Sequence, residues 1–205
     1  PTGTVTFSSN GSGVGSAPVT TVSTTNLLLN SQQLGASTWV GYCAATMSNM
    51  ISNTSDLNAP DGTATATKFV IPSSLSCGGG GTWGAIGTVS GGLIAGKSYT
   101  ISVWLRGAHG GEPVIFALND CGSGESVVLS NSWERYSVTL PTISAGIASC
   151  GRGFQVLENS VPNDVFYVWG AQVEQSSSLG LYVMTSGASA SGSGGIASVT
   201  TTSLS

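Results

Sequence analysis

Three aromatic residues flank the first polar stretch of the chain and the glycine run that follows it: Trp39, Tyr42 and Trp83. Flat rings of this kind suit sugars, whose rings present apolar C–H faces edged by hydroxyls, so the trio is a candidate stacking platform. Asn119, Asp120, Glu125 and Glu158 carry amides and carboxylates that hydrogen-bond hydroxyls, and they form the candidate polar edge of a groove, with a solvated loop as the alternative. Tyr182, after a Ser-rich turn, either stacks on a ligand or anchors the end of the fold. Taken singly, each ring reads more readily as core than as ligand-facing, and only their clustering brings the two readings level.

Catalytic chemistry is less well served. Sugar hydrolysis needs two carboxylates about 5 to 9.5 Å apart across a cleft, and Glu112, Asp120, Glu125, Glu158 and Asp164 have no spacing that singles out a pair. His109 is the single histidine of the sequence, and no G-x-S-x-G elbow accompanies it. The CGGGG run at 77–81 lacks the Lys-Ser/Thr of a phosphate loop and opens no helical pattern. The expectation is therefore that the chain is not an enzyme.

Cys43, Cys77, Cys121 and Cys150 are widely spaced with no C-x-x-C pair, which weakens a zinc reading and favours two structural disulfides in an oxidising compartment. Sequence does not fix the connectivity. Cys43 with Cys77 and Cys121 with Cys150 is the preferred pairing, since each cysteine lies near a Gly-rich turn and the enclosed loops are moderate; four free thiols are the alternative.

Charge excludes further classes. Five Lys and Arg stand against nine Asp and Glu, a net charge of −4, and Lys68, Lys97, Arg106, Arg135 and Arg152 are scattered singly, which leaves no footprint for nucleic acid. Charged residues are only 7% of the chain, so solubility rests on Ser, Thr, Asn and backbone, as suits an extracellular surface protein. No apolar run is long enough to cross a membrane. With no leader at its start, the chain reads as the mature part of an exported protein.

The elements that must position these residues are strands. VFYVWGAQVE at 165–174 has apolar residues on both parities: Phe166, Val168 and Gly170 on one, Val165, Tyr167, Trp169 and Ala171 on the other. It therefore reads as a strand enclosed in the middle of a sandwich. Tyr99, Ile101, Val103 and Leu105 alternate with Thr100, Ser102 and Trp104, which makes a half-buried strand whose Trp104 joins a second packed face or forms an exposed platform. Further strands are expected at 63–71, 83–89, 114–118, 127–129, 133–140 and 154–157, and no segment keeps a 3.6-residue apolar period. The fold class is all-β, a sandwich of residues 26–185 with short terminal β-arms. Residues 1–25 read as an arm with a turn at 10–13. Ser186–Gly195 reads as a Gly/Ser linker before a possible terminal strand. No charge precedes Asp56 or follows Glu174, so both arms suit pairing along a sheet edge.

The segments NLLLNSQQL at 26–34, Trp39, APDGTATATKFV at 59–70, GKSYTISVWLR at 96–106, NSWERYSVTL at 131–140 and FYVWGAQVE at 166–174 resemble a jelly-roll family of carbohydrate-binding-like modules. The family is found in bacterial secreted glycoside hydrolases and in phage tail proteins. The resemblance implies a jelly-roll sandwich, non-catalytic binding of a polysaccharide or cell-surface glycan, and a secreted or virion location. By analogy it also implies a structural calcium, with Asn26, Asp56, Asp61 and Glu174 as contributors. PTGTVTF resembles a strand of bacterial extracellular immunoglobulin-like repeats, so residues 1–25 are a remnant of a neighbouring repeat, an integral strand pair or an arm given to another subunit. The alternative function is a structural or adhesive subunit of a phage fibre or filament, assembled as a homo-oligomer through its terminal strands.

Overall fold

The computed structural model describes residues 4–10, 12–18, 20–32, 34–42, 50–51, 56–71, 83–118, 123–143, 153–158, 161 and 163–196. Its strands are β1 (Thr4–Ser9), β2 (Ser12–Pro18), β3 (Thr20–Asn26), β4 (Trp39–Tyr42), β5 (Met50–Ile51), β6 (Thr67–Val70) and β7 (Trp83–Gly87). They continue with β8 (Tyr99–Gly107), β9 (Pro113–Leu118), β10 (Ser123–Val128), β11 (Glu134–Leu140), β12 (Phe154–Glu158), β13 (Val165–Glu174) and β14 (Ala190–Ile196). Ten of these, β4 to β13, form two antiparallel five-stranded sheets, in the orders β10-β9-β12-β7-β4 and β11-β8-β13-β6-β5. The chain passes back and forth between the sheets, and the result is the all-β jelly-roll sandwich expected from the period-two segments.

The core lies between the two inner faces. Ile101, Val103 and Leu105 of β8 and Phe166, Val168 and Val173 of β13 meet Val114 and Phe116 of β9 and Phe154 and Val156 of β12 across it. Ring pairs reinforce it, with Phe69 stacked on Phe166 at 4.8 Å and Trp39 edge-on to Phe154 at 6.3 Å. β13 lies between β8 and β6, enclosed as its two apolar parities require. Its alternation does not run straight through, however. The register shifts between Trp169 and Gln172, and Gly170 has φ +62, which marks a bulge. The extra residue returns Ala171 to the core beside Phe166 and Val168 and turns Gln172 and Glu174 outward.

Both arms are strands. β1 and β2 form a hairpin that turns at Asn10 (φ 50) and pairs with no other strand among the described residues. β3 pairs along its whole length with β14, from Thr20 opposite Ile196 to Asn26 opposite Ala190. Within the Gly/Ser stretch, Ala190–Ile196 satisfies its backbone against β3 and is a strand despite a composition that disfavours one. Pairing between β3 and β14 is within one chain.

The disulfide expectation is corrected to this extent: the described residues contain no disulfide, and Cys43, Cys77, Cys121 and Cys150, on which both expected bridges fall, lie outside them.

Candidate functional site

The outer face of the β11-β8-β13-β6-β5 sheet gathers, among the described residues, a set of outward aromatic and cationic side chains. Cross-strand register builds it in rows: Arg135 opposite Trp104 opposite Trp169, and, nearer one end, Arg106 opposite Tyr167 opposite Lys68. Ser102 and Gln172 make the next row and Thr100 and Glu174 the last.

Half of this face is roofed by the segment that follows β13. Tyr182 returns over the sheet and meets Trp169 at 4.8 Å and Trp104 at 5.4 Å, while the two tryptophans meet edge-on at 5.2 Å. Gly170 makes this possible, since a β-carbon there would fall 2.9 Å from the Trp104 ring. Polar bonds lock the roof. Gln172 Nε2 donates to Leu181 O (3.1 Å) and its Oε1 accepts from Val183 N (2.9 Å); Glu174 Oε1 accepts from Gly180 N (2.9 Å). The Arg135 guanidinium lies 4.5 Å from the Trp104 ring centroid and donates to Gly180 O and Ser102 Oγ, both at 3.0 Å. Burial pulls its pKa below the usual arginine value, and the Glu174 charge opposes that shift. Burial likewise pushes the Tyr182 hydroxyl up to about 12, against the pull of its hydrogen bonds with Ser31 and Gln32. At 2.7 Å from Ser31 Oγ it stays protonated across the physiological range. This half is a second small core.

The other half carries no such roof among the described residues, although Trp133 packs partly against the Ala59, Ala66 and Trp169 cluster. Trp133, immediately before β11, meets Tyr167 at 6.5 Å with their planes at 66°, and both rings are half-buried. The Trp133 indole N–H donates to Asn58 O at 2.9 Å, which fixes the ring. Lys68 Nζ lies 2.7 Å from Asp56 Oδ2, and this hydrogen bond raises the lysine pKa. Two angled rings, an ion pair and the Arg106 guanidinium thus edge one shallow surface. Apolar ring faces beside fixed donors and acceptors are what a polyhydroxylated ring requires.

The structure scatters the carbohydrate-site residues expected from the sequence. Trp39 is corrected from platform to core: it is 2% exposed, lies on Gly87 across the strand pair, and donates its indole N–H to Asn30 O at 2.8 Å. Tyr42 and Trp83 end β4 and begin β7 in the opposite sheet. Asn119 and Asp120 lie outside the described residues. Glu125 is exposed on the edge strand β10, while Glu158, fully buried at the end of β12, accepts from Val161 N at 3.1 Å. Of those among the described residues, Tyr182 alone is placed on the aromatic face, as an anchor in its roof. Trp104, Trp133, Tyr167 and Trp169 were legible as outward parity on three neighbouring strands, but that signal needs the pairing order to be seen.

The four residues expected at a calcium are each engaged with other partners in this structure. Asn26 is buried with its amide saturated: Oδ1 accepts from Leu28 N and Val173 N, and Nδ2 donates to Ala171 O and Val183 O. Glu174 holds Gly180 N and Gln172 Nε2, Asp56 holds Lys68, and Asp61 caps its own turn through Thr63 N and Oγ1. Among the described residues no three His, Cys, Asp or Glu side chains gather as a metal would require.

Two hollows lie away from the aromatic face. One, of about 380 Å³ between β3 and the turn after β13, is lined by hydroxyls and by Glu174 and Gln175 but by no aromatic ring. The other, of about 360 Å³, lies between the β8–β9 turn and Asp164.

No family model matches the chain, and no curated protein does. Solved structures similar to it include a family 61 carbohydrate-binding module in complex with β-1,4-galactotriose (15% identity over 74% of this chain and 99% of that one, TM-score 0.46). Another is a putative sugar-binding protein from Bacteroides thetaiotaomicron (11% identity, 74% and 100%, TM-score 0.46). A third is a family 11 module from Clostridium thermocellum with a mixed-linked tetrasaccharide (12% identity, 74% and 95%, TM-score 0.44). At TM-scores below 0.5 these likenesses carry no argument, and the sandwich rests on the strand pairing described above.

Proposed function

We propose that the chain is a non-catalytic, extracellular carbohydrate-binding module whose ligand lies on the open half of the aromatic face. The observation that carries this reading is the Trp133–Tyr167 ring pair, fixed by a hydrogen bond of its indole and left unroofed among the described residues beside Arg106 and the Lys68–Asp56 pair. The Asp56 carboxylate on this surface is held by Lys68, which argues against its use as an acid or base. Affinity electrophoresis and a glycan array test it. Trp133→Ala and Tyr167→Ala are each expected to weaken retention about tenfold, in line with the ~1 kcal/mol or more that a stacked ring contributes. Retention unchanged in both variants would sink the reading.

A second reading is favoured by the β1–β2 hairpin, which pairs with nothing else among the described residues and belongs to a charge-free stretch that ends only at Asp56. Neutral open edges recruit further strands, so the chain also serves as a subunit that self-assembles through this hairpin. Light scattering should show association of the full chain that is lost on removal of residues 1–18; a full chain that stays monomeric at high concentration rejects it.

A further inference from the structure

The open half of the face has a charge order that no neutral sugar needs. Tyr167 lies in one cross-strand row between Arg106 on β8 and Lys68 on β6. The two cations are unequal. Lys68 is neutralised by Asp56 at 2.7 Å, whereas the Arg106 guanidinium makes no hydrogen bond or ion pair among the described residues. Arg135, one row along, is held beneath the roof by its bonds to Gly180 O and Ser102 Oγ, with its Nε buried there. The site therefore has an electropositive side at Arg106 and a charge-balanced side, rich in donors and acceptors, at Lys68–Asp56. The Trp133 and Tyr167 rings occupy the space near Arg106 and between the two sides. Two strand spacings of about 4.8 Å each separate Arg106 from Lys68, close to the span of one pyranose with its substituents.

From this order we propose that the ligand is an acidic polysaccharide, one whose repeating sugar carries a carboxylate, as a uronic acid does. The inference rests on the sugar-binding reading and names its substrate class. The sugar face lies on Tyr167 and Trp133, its carboxylate meets the planar fork of Arg106, and its hydroxyls meet the Lys68–Asp56 pair. A guanidinium binds a carboxylate through two parallel N–H···O bonds, which a neutral hydroxyl cannot return. A nucleic acid is the poorer fit. It presents a phosphate at every residue, while among the described residues this face offers one uncommitted cation, on a chain of net charge −4.

The test is affinity electrophoresis of the full chain through gels cast with polygalacturonate, alginate, neutral galactan or mixed-linkage glucan, with a single-stranded DNA arm, repeated for Arg106→Ala and Arg106→Lys. Arg106 is half-buried without partners, so both variants are expected to fold, and circular dichroism checks it. The expected result is retention on an acidic gel that falls about tenfold or more in Arg106→Ala. Arg106→Lys should recover part of that loss, and salt of about 0.5 M should weaken the wild type towards the alanine variant. Equal retention on neutral gels, insensitive to salt and to both variants, overturns this inference while sugar binding stands. Retention on no glycan overturns both, and stronger retention on DNA overturns the choice of polymer.

Discussion

Asp164 shows how a single side chain is tuned by its setting. It lines the hollow it shares with His109 and Glu112, and its carboxyl pKa is raised, first by burial and then by the Glu112 charge, with His109 opposing. Glu112 itself is 4% exposed, accepts from His109 N at 2.8 Å and packs its carboxylate directly over Gly107. A folded pKa above the unfolded one means that ionising Asp164 costs folding stability. The cost is absent below the unfolded value of about 3.9, grows as pH rises through the folded value and is complete near neutrality. Asp164→Asn should therefore raise Tm near pH 7, and the gain should shrink as pH falls towards about 4. Thermal unfolding at the two pH values checks this, and a gain that is the same at both would show the carboxyl to be unperturbed.

At the scale of the strand, β13 divides what was legible from what was not. Its place in the middle of a sheet follows from VFYVWGAQVE having apolar residues on both parities, and the strands at 99–105, 114–118, 133–140 and 154–157 follow from alternation in the same way. The bulge at Gly170 does not follow, because a glycine in a strand pattern marks either a bulge or a close approach, and only the partner strand decides. Here it is both: φ is +62 and the Trp104 ring fills the space a side chain would take. That one residue reverses the facing of Ala171, Gln172 and Glu174, so sequence parity misplaced the end of the strand. Trp39 misled for a related reason, since a tryptophan beside a polar loop looks the same whether its ring meets solvent or the bare backbone of Gly87. Gly170→Ala should cost about 1–2 kcal/mol through the left-handed backbone and the displaced ring together. Urea unfolding measures it, and an unchanged midpoint would mean that the aromatic cluster yields freely.

At the scale of the molecule, the sandwich and its arms are separable in different degrees. The β1–β2 hairpin has no strand partner in the body among the described residues, so removal of residues 1–18 should leave Tm nearly unchanged even where it abolishes association. β3 is different. Asn26 at its base is wired by three hydrogen bonds into β13 and the Tyr182 roof and by a fourth to Leu28 N, and Leu27 N donates to Val173 O at 2.8 Å. The antiparallel β3–β14 ribbon brings Thr20 and Ile196 together at its far end. A load drawn between those two residues would meet the rungs one after another instead of all at once, so the ribbon would peel open under slight tension. The pull would then stop at the saturated Asn26 amide, giving the chain a compliant tether that extends before the jelly roll itself bears any strain.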